Sequence, residues 1–298
     1  MRKSWLGFLA VALFTSLFTG AAEQDETTLR VMTYNIRYNN PGDGINAWPN
    51  RKDHVAEMIG KKANADLAGL QEALREQIDD LAARLPGYAW FGVGRDDGKD
   101  AGEFTPIFYR TDRFELLDHN TFWLSETPEV PGSKSWDAAI TRIVTWGKFK
   151  EKASGIEFYH FNTHFDHIGR QARTESAKLV WKKIQELAPG RPVILTGDFN
   201  VPEKSEAYRV LTGATPEAAP VSDLQDARYL SQSGHQGPTS TFVNANWTQT
   251  REPESKIDFI FVRKEMQVLS HKVMDDQYDG RFPSDHLPVV AELKIVKP

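Results

Sequence analysis

Apolar residues in this 298-residue chain fall mostly into short strand-like runs, and only three stretches carry helical spacing. Ten segments have the β-branched and aromatic enrichment of strands: Leu29 to Arg37, Asp66 to Gln71, Tyr88 to Val93, Thr105 to Tyr109, Ile140 to Phe149, Ile156 to Thr163, Val193 to Thr196, Ser240 to Val243, Lys256 to Val262 and Leu287 to Ile295. Helices are predicted over Asn50 to Ala63, with Val55, Met58 and Ile59 on one face, over Leu74 to Leu85, and over Gln171 to Leu187, with Leu179, Val180, Ile184 and Leu187. Many strands covered by a few helices imply a layered α/β sandwich, two sheets packed face to face. Residues 23–298 contain no repeat, low-complexity tract or long Pro/Ser-rich linker, so they read as one domain.

The first residues break this pattern. A basic start, Met1-Arg2-Lys3, precedes an apolar stretch from Trp5 to Phe18 and the small residues Thr19-Gly20-Ala21-Ala22. This is the layout of a secretory signal peptide, residues 1–22, with the mature chain beginning close to Glu23 and exported to the periplasm or the cell exterior. The alternative is a short uncleaved anchor helix, which nothing resembling a stop-transfer segment supports.

Removing the leader takes away Arg2 and Lys3 and no acid, moving the formal charge from −5 to −7. An acidic average argues against an all-over basic surface for nucleic acid, though it leaves room for a local basic cleft. The chain has no Cys, which excludes disulfides, thiolate metal sites and lipid attachment through an N-terminal Cys.

Polar residues recur where the predicted strands leave the core. The run Val193-Ile194-Leu195 enters Thr196-Gly197-Asp198-Phe199-Asn200-Val201, where alternation points Asp198 and Asn200 to one side, as an Asx-rich turn also would. Asn35 sits in an otherwise apolar strand, where burial without partners costs about 1 to 3 kcal/mol. Glu72 closes the second strand just before a helix, where it can serve a site or simply favour the helix dipole. In Phe161-Asn162-Thr163-His164-Phe165-Asp166-His167, alternation places His164 and Asp166 on one face of a strand terminus. Asp258, inside Lys256-Ile257-Asp258-Phe259-Ile260-Phe261-Val262, needs a cation, a metal or a protonated His if buried. His286, in Ser284-Asp285-His286-Leu287, is a partner whose tautomer an Asp fixes, in a site or in a purely internal pair.

Asn35, Glu72, Asp198, Asn200, Asp258 and Asp285 are hard oxygen donors, and the chain lacks an H-E-x-x-H pattern, so the implied ion is Mg²⁺ or Mn²⁺. Such an ion among carboxylates and imidazoles suits attack of water on a phosphate ester. A glycosidase needs only two carboxylates.

The ordered set T-Y-N-I-R, G-L-Q-E, N-T-H-F-D-H, T-G-D-F-N, K-I-D-F-I-F-V and S-D-H-L-P-V resembles the endonuclease/exonuclease/phosphatase superfamily over Leu29 to Leu293. The stretch N-P-G-D-G-I-N-A-W-P-N-R-K and the motif T-H-F-D-H-I-G-x-Q-A-R bring it nearest to secreted bacterial hydrolases and deadenylase-like members. The resemblance implies a DNase I-like, four-layered α/β sandwich with two mostly antiparallel sheets and helices outside. It also implies that Glu72, with Asn35 and Asp285, serves the metal, that Asp198 activates water, and that Asn200 holds phosphate or water. His164 and His286 would donate to phosphoryl or leaving oxygens, with Asp258 behind His286. Arg142, Glu103 and Asp166 are candidates for the substrate, Arg142 as a phosphate clamp through its planar fork, with a surface ion pair the equal alternative for Arg142 and Glu103.

The expectation is an exported, Mg²⁺- or Mn²⁺-dependent phosphoesterase, foremost a phosphodiesterase, acting as a monomer without a stable protein partner. Its substrate is a phosphate ester carried by nucleic acid, phospholipid head group or phosphosugar. A phosphomonoesterase or inositol-phosphate hydrolase is the alternative within the fold, and a non-catalytic binding module the alternative outside it.

Overall fold

A computed structural model describes Met1 and residues 25–214, 222–251, 255–263 and 266–297. The leader expected over residues 1–22 lies, Met1 apart, outside the described residues. Seven strands form one sheet in the order β10 (His235–Gln236), β12 (Gln267–Val273), β13 (Val289–Val296), β1 (Glu26–Asn35), β2 (Leu67–Gln71), β4 (Ile107–Arg110) and β3 (Tyr88–Phe91). Six form the other, in the order β5 (Phe114–Trp123), β6 (Ile143–Glu151), β7 (Glu157–His164), β8 (Val193–Asp198), β11 (Asp258–Arg263) and β9 (Leu224–Asp226). Both sheets are mixed, and most pairs are antiparallel. The parallel exceptions are β1 with β2, β7 with β8 and the short β10 with β12.

Three apolar layers account for the sandwich. Between the sheets, Leu29, Val31 and Leu67 from one meet Phe149, Phe158, Ile194 and Ile260 from the other. Outside the first sheet, Met32, Tyr34, Ala68 and Leu70 bury against Val55, Met58, Ile78 and Leu81 of α1 (Lys52–Glu57) with its continuation and α2 (Arg75–Arg84). Outside the second, Phe161, Leu195, Phe259 and Phe261 bury against α3 (Arg170–Leu187) and α4 (Glu206–Leu211). Alternate residues of the central strands thus face two apolar layers, which is why their sequences read as continuous hydrophobic runs.

Departures from the sequence reading have local causes. Helix α1 runs without interruption into a wider turn, Met58–Lys62, in which Ala63 N donates five residues back to the Met58 carbonyl. Ser240 to Val243 makes only isolated bridges, Phe242 with His286 and Val243 with Thr250. Strands β5 and β12 were not expected. The middle of β5, from Glu115 to Asn120, is exposed or half-buried, with Leu116 and Leu117 adjacent among polar residues, so no in-and-out alternation registers.

Just inside the ends of β2, β7 and β8 a polar bridge replaces the apolar core. Gln71 Nε2 donates to Asn162 Oδ1 at 2.7 Å, and Thr196 Oγ1 donates to the same oxygen at 3.0 Å. Asn162 Nδ2 returns to the Leu70 carbonyl at 2.8 Å, tying one sheet to the other. Gly69 faces this bridge, and a Cβ there would lie 2.5 Å from Asn162 Oδ1 and against Thr196 Oγ1. Gly69→Ala should therefore destabilise the fold by about 1 to 3 kcal/mol in urea unfolding. A wild-type midpoint would show that the two sheets are not held at this spacing.

Candidate active site

The register of the strands assembles the site. In the second sheet His164 pairs with Asp198, and Asp198 with Asp258, so the ends of β7 and β8 and the start of β11 carry three functional side chains in one row. In the first sheet Asn35 pairs with Gln71, leaving Glu72 one residue beyond β2, while Asp285 and His286 precede β13. Sheet twist brings the two rows to one cavity of about 340 Å³.

Asn35 connects the rows. Its Nδ2 donates to Glu72 Oε1 at 3.0 Å and to Asp198 Oδ2 at 2.9 Å, which supplies the partners its burial demands. The Asp198 carboxylate also accepts from Asn200 N at 3.0 Å, and its Oδ2 lies 3.4 Å from His164 Nε2 and 3.7 Å from His286 Nε2. Asp258 Oδ2 meets His286 Nδ1 at 2.9 Å, as expected of an Asp that orients an imidazole. Asn200 Nδ2 donates to the Phe165 carbonyl at 3.1 Å and lies 3.0 Å from His164 Nε2. That carbonyl fixes the amide orientation, so His164 Nε2 is the acceptor and its proton resides on Nδ1.

The two imidazoles differ in charge. Burial and the nearby Arg142 and Arg95 hold His164 well below the usual histidine range, so it is neutral. Burial also opposes a charged His286, but the carboxylates of Asp258 and Asp198 outweigh it and keep the ring an imidazolium. Burial and the like charge of Asp258 push Asp198 up to about 7, against the pull of His286 and Asn35. Burial, reinforced by Glu72, likewise raises Asp285, which lies 3.8 Å from Arg37 Nη1. Arg37, Glu72 and Asn200 adopt left-handed backbone at φ 56°, 59° and 50°, a conformation that non-glycine residues hold only where the surroundings impose it.

Arg142 and Glu103 both line the cavity. Glu103 Oε2 pairs with Arg95 Nη1 at 2.7 Å, and burial raises its carboxyl despite that arginine. Arg142 is buried, its Nη2 lies 3.2 Å from His167 Nδ1, and its Nε and Nη1 have no partner among the described residues.

Asp166 departs from expectation. The strand ends at His164, alternation ends with it, and the Asp166 carboxylate accepts from the backbone N–H groups of Ala139, Ile140, Ile168 and Gly169. It shapes the loop beside the cavity and is absent from the cavity wall. The wall also includes Arg37, Tyr38, Ile140, His167, Phe242 and Ile257, which the sequence reading did not single out. Of these, Arg37, His167 and Ile257 carried a signal, as members of T-Y-N-I-R, N-T-H-F-D-H and K-I-D-F-I-F-V.

Ligand-type atoms of Asp198, Asp258 and His286 lie within 4.8 Å of one another, a possible metal-binding triad. Glu72 and Asp285 form a second acidic set on the same cavity. Asp258 Oδ2 meets His286 Nδ1 and its Oδ1 is buried without a partner among the described residues, but only Glu72 and Asp285 of these acids line the cavity together with Asp198, so they are the more accessible ligands.

A two-sheet sandwich that gathers at one rim an imidazole–carboxylate pair, a buried carboxylate with raised pKa and a guanidinium with two nitrogens unpartnered among the described residues has the make-up of a phosphoric-ester hydrolase. The chain belongs to the Endonuclease/Exonuclease/phosphatase family, whose model matches residues 32–286. Members of this family generally depend on a divalent metal. An endonuclease/exonuclease/phosphatase from Bacteroides vulgatus is 44% identical, with a TM-score of 0.81, covering 90% of this chain and 98% of its own. A mannosyl-6-phosphatase from Bacteroides thetaiotaomicron is 42% identical with the same TM-score of 0.81, covering 89% of this chain and 99% of its own. Rat tyrosyl-DNA phosphodiesterase 2 is 25% identical over 93% of this chain and 70% of its own length. The chain spans 44% and 60% of the lengths of two mimivirus proteins that it also matches.

The charge asymmetry is directly measurable. At pH 7 in metal-free protein, imidazole nitrogen-15 spectra should show His286 doubly protonated and His164 neutral, and Asp258→Asn should lower the pH at which His286 loses its proton. A folded-state pKa above the unfolded one stabilises fully below about pH 6.5 and loses that contribution as pH rises through the folded value. Wild-type stability should accordingly fall on the alkaline side more steeply than that of Asp258→Asn. A neutral wild-type His286 at pH 7 would contradict the assignment.

Proposed function

We propose that this protein hydrolyses a phosphate monoester of a small hydroxylated molecule, a phosphosugar being the best-fitting class, by direct attack of water with no covalent intermediate. The carrying observation is Arg142, a buried cation on the wall of a compact cavity whose Nε and Nη1 are unpartnered among the described residues. A terminal phosphoryl group offers such a fork a dianion with three non-bridging oxygens. The 42% identity to a mannosyl-6-phosphatase supports the same reading. This moves the emphasis from the diester expected from sequence to the monoester.

The residues fit a hard divalent ion, Mg²⁺ or Mn²⁺, through the oxygens of Glu72 and Asp285 with Asn35 beside them. When bound, the ion neutralises charge on the phosphoryl group and its leaving oxygen. Asp198, with its pKa near neutrality, holds the water and takes its proton. The His286 imidazolium, oriented by Asp258, donates from Nε2 to a phosphoryl oxygen, and Asn200 keeps neutral His164 in place beside Asp198. Arg142 clamps a non-bridging oxygen from the cavity wall.

The 25% identity to tyrosyl-DNA phosphodiesterase 2 favours a diester as the second reading, and the acidic net charge weighs against a nucleic-acid strand. The signal-peptide pattern read over residues 1–22 supports action after export, and N-terminal sequencing of an exported fraction should then find the mature protein beginning near Glu23.

Purified protein should cleave p-nitrophenyl phosphate and hexose 6-phosphates faster than bis-p-nitrophenyl phosphate, and a chelator should abolish the reaction. Preference for the diester would reverse the substrate assignment, and no hydrolysis on either would refute the reading. Asp198→Asn should lower kcat about 10²- to 10⁴-fold. Arg142→Ala should cost about 10²- to 10³-fold in kcat/KM, more on monoesters than on diesters. Full rate in either variant would remove that residue from the mechanism.

A further inference from the structure

Arg51 lies outside the cavity wall and is almost fully buried, at 4% exposure. No carboxylate pairs with it among the described residues. Its five N–H groups go to backbone carbonyls instead. Nη1 donates to Ile36 O and, at 3.3 Å, to Pro283 O. Nη2 donates to Arg37 O at 2.6 Å and reaches Tyr38 O at 3.4 Å, while Nε donates to Asn46 O at 2.8 Å. The rings of Trp48 and Trp247 lie 5.0 and 5.3 Å from its Cζ.

Apart from Asn46 O, these carbonyls belong to two segments beside the acids Glu72 and Asp285 of the cavity. Ile36 to Tyr38 follows Asn35 directly. Within it Arg37 N donates to Asn35 Oδ1 at 3.0 Å, and Tyr38 N donates to Glu72 Oε2 at 3.2 Å. Pro283 lies two residues before Asp285, and Ser284 Oγ donates to the Asn35 carbonyl at 2.7 Å, a second tie between the same segments. A planar guanidinium reaches both segments at once through divergent N–H groups, whereas an ammonium is a single point donor at the end of a flexible stem.

We propose that Arg51 is a positioning residue that sets the separation of Glu72 and Asp285 by stapling the segment after β1 to the segment before β13, and so fixes the site's affinity for a divalent ion. This rests on the reading that Glu72 and Asp285 hold that ion. Groups that orient metal ligands from outside typically contribute about 10- to 100-fold in affinity. Arg51 is the cationic staple between the segment whose Tyr38 N–H holds Glu72 and the segment that carries Asp285.

Calorimetric titration of Mn²⁺ into the metal-free full chain tests this without reference to turnover. Arg51→Lys, which keeps the charge and loses the fork, should bind Mn²⁺ about tenfold or more weakly with unchanged stoichiometry. Its melting temperature without metal should stay within about 5 °C of wild type, and saturating Mn²⁺ should restore kcat. Wild-type affinity in Arg51→Lys, whatever its melting temperature, would overturn the positioning role. If Arg51→Lys does not fold, Ser284→Ala carries the test, since it cuts the other tie and should weaken Mn²⁺ in the same direction; unchanged affinity there would overturn the proposal. Absence of Mn²⁺ binding by wild type would instead refute the metal site, and the positioning role with it.

Discussion

Carboxylates gathered where two sheets end impose the constraint on which the rest of this structure depends. Asp198 and Asp258 are neighbours across β8 and β11 and are almost fully buried, and each buried charge loses several kcal/mol of hydration unless something local replaces the water. Asn35 and the Asn200 amide serve Asp198, His286 serves Asp258, and Asn35 with the Tyr38 amide serves Glu72. These partners come from both sheets. A slip of one residue in any central strand would turn its polar end into the wrong layer and leave a charge without its partner. The apolar layers and the Gln71–Asn162–Thr196 bridge therefore serve the site by holding register and sheet spacing.

The cavity brings both signs of charge together. Arg142, Arg37 and a charged His286 line it along with the acids Glu72, Glu103 and Asp285, and His164 among them is neutral. An anionic group entering it meets N–H donors as well as carboxylates able to hold a cation. Asp198 sits between the two imidazoles, where charge can be exchanged with little movement of heavy atoms.

Much of this was legible in the sequence, for a physical reason. Strands buried on both faces read as continuous apolar runs, so an Asn35 or an Asp258 within one stands out as a polar residue that needs a partner. The same logic fails where polarity is unremarkable. Asp166 resembles a site carboxylate by spacing, yet it serves four backbone amides, and only the course of the chain beyond His164 shows this. Phe242 and Ile257 look like core in sequence and become cavity wall because they flank functional residues in space. Strand β5, half solvated, and α4 and α5 (Ala227–Leu230), of six and four residues, are too irregular or too short to leave a periodic trace.

The left-handed backbone at Arg37, Glu72 and Asn200 has a bearing on how freely this chain can be improved. Glycine would adopt those angles without strain, so a search for thermostability guided by backbone conformation alone would choose glycine at all three positions. Each such change would remove a side chain from the cavity rim and trade chemistry for rigidity. Robustness has to be sought elsewhere, in the solvated middle of β5 or on the outer faces of the helices. These three positions mark where selection for turnover and selection for stability pull apart.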